Sequence, residues 1–280
     1  MMLRLLAVLA LGLSLLTAAT ARAQATDCTG DPAWAEAALA NALSLNTLSW
    51  TPFNQAETGW EAYVPILQHE IGVKCDPAGG AFAAGLARFQ ARYDLPPTGV
   101  FDAATFIVLK GVLQERRPFV MARVRNECPD PPPLNQLGYL LPEEEHADRL
   151  TRLLRRDVLD AYRRMVEAAR TEVPAIAADP ELLQIFSGFR DPEADAARCA
   201  QQGNCDGVRR AACSPHRTGT AIDLYVGRMA GMDVDSTAPE SRRHMSRGPA
   251  YQWLVANAGR FGFRPYLYEP WHWEYVGGGG

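Results

Sequence analysis

Ser214-Pro-His-Arg-Thr-Gly-Thr-Ala-Ile-Asp223 and, near the C-terminus, Glu269-Pro-Trp-His-Trp273 decide the reading of this chain. Between them they hold two histidines, an aspartate and a further glutamate. Three ligands, with a carboxylate to take a proton from water, are the inventory of an open zinc site holding one ion. His216 and Asp223 are seven positions apart, a spacing that puts them on opposite faces of an unbroken strand. Thr218-Gly219 between them permits a bend, so a loop-held histidine and a strand-held aspartate can converge. Alternation over 271–276 sets His272 opposite Trp271 and Trp273, with Glu269 on the bend at Pro270. Asp223 stands between Ile222 and Leu224, and a carboxylate in an apolar strand needs a partner. A metal ion is one such partner, and an arginine is another. His69, His146 and His244 have no comparable context and read as surface or structural residues.

Outward from these blocks, 182–187 and 220–226 read as strands, 249–260 as a helix, and 261–268 and 271–276 as short strands. Upstream, an amphipathic helix is expected over 147–172, where Leu150, Leu153, Leu154, Val158, Ala161, Tyr162, Met165 and Val166 recur at helical spacing. Helices and strands mix irregularly, which favours an α+β fold over a doubly wound sheet. Arg125-Asn-Glu-Cys-Pro-Asp-Pro-Pro-Pro133 reads as an extended spacer, and a linker is assigned to 119–136. Before it, 27–118 carries helical patterns at 32–45, 60–71, 82–93 and 103–113, with Asp102 as the N-cap of the last. The second domain is expected over 137–276, followed by a glycine tail at 277–280.

A basic start, an apolar run over 5–16 and Ala21-Arg22-Ala23 have the parts of a signal peptide, 1–23. The run is short for a transmembrane helix, so no membrane association is expected after cleavage. Its removal would take the formal charge from -4 to -6. An acidic chain lacks the basic footprint that nucleic-acid binding needs. Six cysteines in an exported chain point to disulfides, and Cys28 with Cys75 is the favoured pair because both lie in the N-terminal part. The rival is a thiolate metal site around Cys199, Cys205 and Cys213.

Leu67-Gln68, Gly72, Leu86-x-x-Phe89-Gln90, Leu95, Thr98-Gly99 and Thr105-x-x-x-Leu109 resemble the small three-helix peptidoglycan-binding domain attached to many cell-wall hydrolases. This implies binding to wall polymer without naming contact residues. Ser187-Gly-x-Arg190, Ser214-x-His216-x-x-Gly219-x-Ala221-x-Asp223 and Glu269-x-Trp271-His272-Trp273 look like the signature blocks of VanY-type zinc D-Ala-D-Ala carboxypeptidases. That family has the Hedgehog/DD-peptidase fold. The resemblance implies His216, Asp223 and His272 as zinc ligands, Glu269 as catalytic base and Arg190 as the cation facing the reacting carbonyl. It places Ser214 and Trp271 beside the substrate. One departure stands out: the family usually follows the arginine with a serine and, a few residues on, a glutamine, where this chain has Asp191-Pro-Glu-Ala-Asp195. The reading implied is an exported monomer, periplasmic or otherwise secreted, that trims peptidoglycan stem peptides. Its rivals are an endopeptidase on cross-links or L-Ala-D-Glu bonds, a dipeptidase, and a non-catalytic wall-binding protein.

Overall fold

A computed structural model describes residues 28–147, 153–202 and 213–278. The expected signal peptide lies outside the described residues, as does the end of the glycine tail. No helix among the described residues is long and apolar enough to cross a membrane.

The N-terminal part is helical. α1 (Ala35–Ser44) follows a short 3-10 turn, and a small hairpin pairs β1 (Ser49–Trp50) with β2 (Glu57–Thr58). α2 (Val64–Ile71), α3 (Gly80–Arg92) and α4 (Ala103–Glu115) complete the expected helices. Asp102 caps α4, its side chain accepting from the Thr105 amide at 2.7 Å. That bond satisfies one of the amides a helix start leaves unpaired. Gly72 ends α2 in the left-handed region, at φ +68°, a conformation open to glycine without steric cost. The core here is aromatic: Trp60, Tyr63, Phe82, Phe101 and Phe106 are buried. The Cys28–Cys75 disulfide closes the unit as expected.

The segment expected as a linker differs from expectation. α5 (Pro118–Val124) occupies its start, with Phe119 and Ala122 buried. Pro118 sits at the first helical position, where the missing N–H costs nothing, so the proline begins a helix instead of ending one. Residues 129–133 have no regular secondary structure, but Cys128 is bonded to Cys213, so the stretch is fastened at the second domain. Cys213 is thereby unavailable to the thiolate cluster considered above.

β3 (Leu137–Tyr139) pairs antiparallel with β4 (Leu153–Arg155). The long amphipathic helix therefore begins later than expected: α6 spans Arg156–Glu172, and Leu153 and Leu154 belong to a strand. Val158, Leu159, Ala161, Tyr162, Met165 and Ala169 form its buried face. α7 (Pro174–Ala178) leads to β5 (Ile185–Ser187), and α8 (Pro192–Gln202) follows Arg190. β6 (Ala221–Leu224), α9 (Pro239–Arg247), α10 (Pro249–Asn257), β7 (Phe263–Pro265) and β8 (His272–Tyr275) complete the chain. The main sheet is antiparallel in the order β5-β6-β8-β7, with helices packed against it, as the α+β expectation requires.

The N-terminal unit packs directly on this domain. Arg242 of α9 is 1% exposed and donates to Glu57 at 2.5 Å, to the Tyr63 hydroxyl at 2.8 Å and to the Tyr268 carbonyl at 2.8 Å. Tyr63 also donates to Glu57 at 2.8 Å. Phe53 packs against Tyr268, the ring centroids 4.6 Å apart and the planes tilted by 53°. Buried apolar residues of both parts join in one continuous cluster.

Candidate metal centre

Strand register builds the site. Asp223 of β6 lies directly opposite His272 of β8 and Ser187 of β5. Residues opposite one another in a ladder present their side chains to the same face, so three strands aim at one spot. His216 reaches that spot from a 3-10 turn over Pro215–Thr218, which Gly219 ends at φ +67°. A Cβ on Gly219 would meet the Arg155 amide nitrogen at 3.1 Å, so the bend is both left-handed and crowded. This is how residues at an odd spacing come to share a face.

His216, Asp223 and His272 are all buried, and one ligand atom from each lies within 4.8 Å of the others. Among the described residues this is the one group of three or more such side chains able to share an ion. Asp223 bridges the histidines, with Oδ1 2.8 Å from His272 Nδ1 and Oδ2 3.3 Å from His216 Nε2. The other ring nitrogens are already engaged. His216 Nδ1 lies 2.8 Å from the Gly188 carbonyl oxygen, and His272 Nε2 lies 3.2 Å from Glu274 Oε1. A histidine whose far nitrogen donates to a carbonyl or carboxylate presents a lone pair at the near one, as metal ligation requires. Two nitrogens and a carboxylate facing one another at these distances fit a small divalent cation such as zinc.

The electrostatics agree. Burial works against the charged form of His272, yet its bonds to Asp223 and Glu274 carry it up to about 9. Burial also opposes ionisation of Asp223, but the two imidazoles hold it well below the usual carboxylate range. His216 is pushed down, mainly by burial. The His272 ring thus stands between two carboxylates, Asp223 at Nδ1 and Glu274 at Nε2.

Glu269 lies at the rim, its Oε2 4.0 Å from His272 Nδ1 and its side chain 30% exposed. Burial pushes it up to about 7, against the attraction of His272. A carboxylate with that value exchanges protons near neutrality, as a general base must. Arg190 approaches from beyond β5: its amide donates to the His216 carbonyl at 3.2 Å and its guanidinium to Ser214 Oγ at 2.7 Å. Ser214 in turn caps the turn that carries His216, accepting from the His216 amide at 3.3 Å. Asp195, in the stretch that departs from the family pattern, comes within 3.3 Å of Arg190 Nε. Trp271 is only 3% exposed and belongs to the main apolar cluster. His146 stacks on Tyr225 at 4.4 Å, away from the cluster. Residue 205 and the side chain of Cys199 lie outside the described residues.

Two participants were missed in the sequence. Glu274 follows His272 by two positions and so shares its strand face, a signal that alternation over 271–276 already contained. Arg117, which pairs with Glu274, is 157 positions away and left no local signal.

Fold and cluster together define the class: a mixed helix-and-sheet protein with a buried two-histidine, one-aspartate candidate metal centre and a titratable glutamate at its edge. The family model described as VanY, D-alanyl-D-alanine carboxypeptidase, matches residues 151–278 of this chain. No curated protein matches the chain. Among solved structures, the LdcB LD-carboxypeptidase is 25% identical with a TM-score of 0.38, over 52% of this chain and 70% of its own. The vancomycin-resistance D,D-pentapeptidase VanY in complex with Zn(II) is 21% identical with a TM-score of 0.30, over 52% of this chain and 83% of its own.

Proposed function

We propose that this protein is an exported, zinc-dependent D-alanyl-D-alanine carboxypeptidase that trims peptidoglycan stem peptides. The observation that carries the reading is the convergence of His216, Asp223 and His272 beside Glu269, whose Oε2 lies 4.0 Å from His272 Nδ1. The VanY family match over the same residues supplies the substrate class.

His216 Nε2, Asp223 and His272 Nδ1 would hold one zinc ion. When bound, zinc lowers the pKa of a coordinated water and polarises a carbonyl. Glu269 accepts the proton of the attacking water and returns it to the leaving amine. Arg190, fixed by Ser214 and by its backbone bond to the His216 turn, meets the negative charge that develops on the carbonyl oxygen. Ser214 borders the substrate through that same contact. Trp271 serves as an apolar wall of the pocket. The N-terminal helical unit binds wall polymer and raises the local concentration of stem peptides.

Digestion of defined muropeptides by the zinc-loaded protein, read by mass spectrometry, tests the reading. Loss of a single terminal D-alanine supports it. Cleavage within cross-links or at L-Ala-D-Glu would reassign the bond, and no cleavage of any muropeptide would leave a wall-binding protein. A metal chelator should stop the reaction, and a penicillin-type acylating agent should not.

A further inference from the structure

We infer that Arg117, supplied by the N-terminal helical unit, is a positioning residue for the metal centre, holding the His272 ring through Glu274 and Tyr266. The inference rests on the metal reading above and adds to it a component from outside the 151–278 domain.

Arg117 stands at the corner between α4 and α5. Its amide donates to the Gln114 carbonyl at 3.0 Å and its carbonyl accepts from the Met121 amide at 3.1 Å, so both helices fix its backbone. The side chain points across the seam into the second domain and is buried, as is Glu274. Its Nη2 donates to Glu274 Oε1, and that same oxygen lies 3.2 Å from His272 Nε2. One carboxylate oxygen therefore joins the guanidinium to the ring.

A second contact acts on the same ring from another side. The Arg117 guanidinium lies 4.5 Å from the centroid of the Tyr266 ring. Tyr266 meets the His272 ring edge-on, at 5.9 Å and 83°, and its amide donates to the His272 carbonyl at 3.0 Å. Arg117 thus touches two groups that contact the imidazole, Glu274 and Tyr266. The consequence is orientational. With Nε2 engaged by Glu274, Nδ1 is the nitrogen turned towards Asp223 and Glu269. Partners of this kind set the direction of a ligating ring, and removing one typically costs metal affinity about 10–100-fold.

A purely structural ion pair predicts something else. Arg117 Nε is buried with no hydrogen-bond partner, although the guanidinium offers five donors. The guanidinium is directed at Glu274 and Tyr266. On this account the N-terminal unit is part of the centre as well as a tether.

The test uses the full chain and zinc alone as probe, with Kd from competition against a chromogenic chelator and the zinc-induced rise in Tm as a second readout. Arg117→Met should weaken zinc about tenfold. Arg117→Lys should recover part of the loss, because it restores the charge but not the fork. Adding Arg117→Met to Glu274→Gln should cost little more than Glu274→Gln alone, because both act along one path. A zinc Kd within about twofold of wild type for Arg117→Met, or losses that multiply in the double variant, would overturn the inference. A merely structural role would lower the metal-free Tm and leave the Kd where it was. If Arg117→Met fails to fold, the double variant removes both buried charges together, and an unchanged Kd there overturns the inference equally. Zinc binding by wild type with a neutral Arg117 would leave the metal reading standing. No zinc binding by wild type would remove both.

Discussion

Two buried polar clusters lie a short distance apart, and they differ in what they bring together. At the seam, Arg242 meets Glu57, Tyr63 and the Tyr268 carbonyl, so its positive charge has a negative partner and its donors have acceptors. In the centre, His216, Asp223 and His272 bring three metal-ligating atoms within 4.8 Å of one another. Both clusters are buried, and both contain groups with displaced pKa values. Burial and titration therefore do not separate a functional site from a structural one. What separates them is the chemistry of the groups that converge: three metal-ligating side chains in the centre, an arginine among acceptors at the seam.

Glu269→Gln should break this contrast hardest. Turnover should fall by about 10²–10⁴ while the zinc Kd changes little, because the base is removed and the ligands are kept. Steady-state kinetics with a muropeptide, beside a zinc titration, measures both. Arg242→Ala should do the opposite. It leaves Glu57 buried without its cation, at a cost of about 3–5 kcal/mol in unfolding experiments, with zinc affinity unaltered. A large loss of zinc affinity in this variant would mean that the two clusters are coupled.

The proton on His272 makes a further prediction. Zinc must displace it, and His272 in the metal-free protein titrates at about 9. Metal affinity should therefore rise with pH, by about tenfold per unit as far as pH 9, then level. Glu269 adds an acid limb to kcat/KM, with activity lost as pH falls and the base is protonated. Its midpoint in the zinc enzyme should lie below the metal-free value of about 7, because a nearby cation favours the carboxylate. The smallest effect is expected at Asp195→Asn. Arg190 loses one partly exposed ion pair, of the kind worth about 0.2–1 kcal/mol, and keeps Ser214. Turnover should change no more than about fivefold, a shift that paired kinetic assays can resolve.

How far the sequence could be read follows from where each signal lives. The helices of the N-terminal part were legible because their periodicity and caps are local: Asp102 three residues before Thr105, and Gly72 just past Ile71. The start of α6 was not, because Leu153 and Leu154 fit a helical face as well as a strand, and only pairing with β3 decides between them. The linker was misjudged for a related reason: a proline ends a helix or begins one, and Phe119 finds its burial only in the folded chain.

The sequence by itself determined the inventory of the centre. Residue chemistry and short spacings are written along the chain, so His216, Asp223, Glu269 and His272 stand out before any coordinates. Tertiary structure alone decided their company. The pairing of Asp223 with His272, the carbonyl behind His216 and the reach of Arg117 to Glu274 all depend on which strands become neighbours and how two units dock. Those choices are fixed by burying apolar surface over the whole fold, a sum to which no short stretch of sequence holds the key.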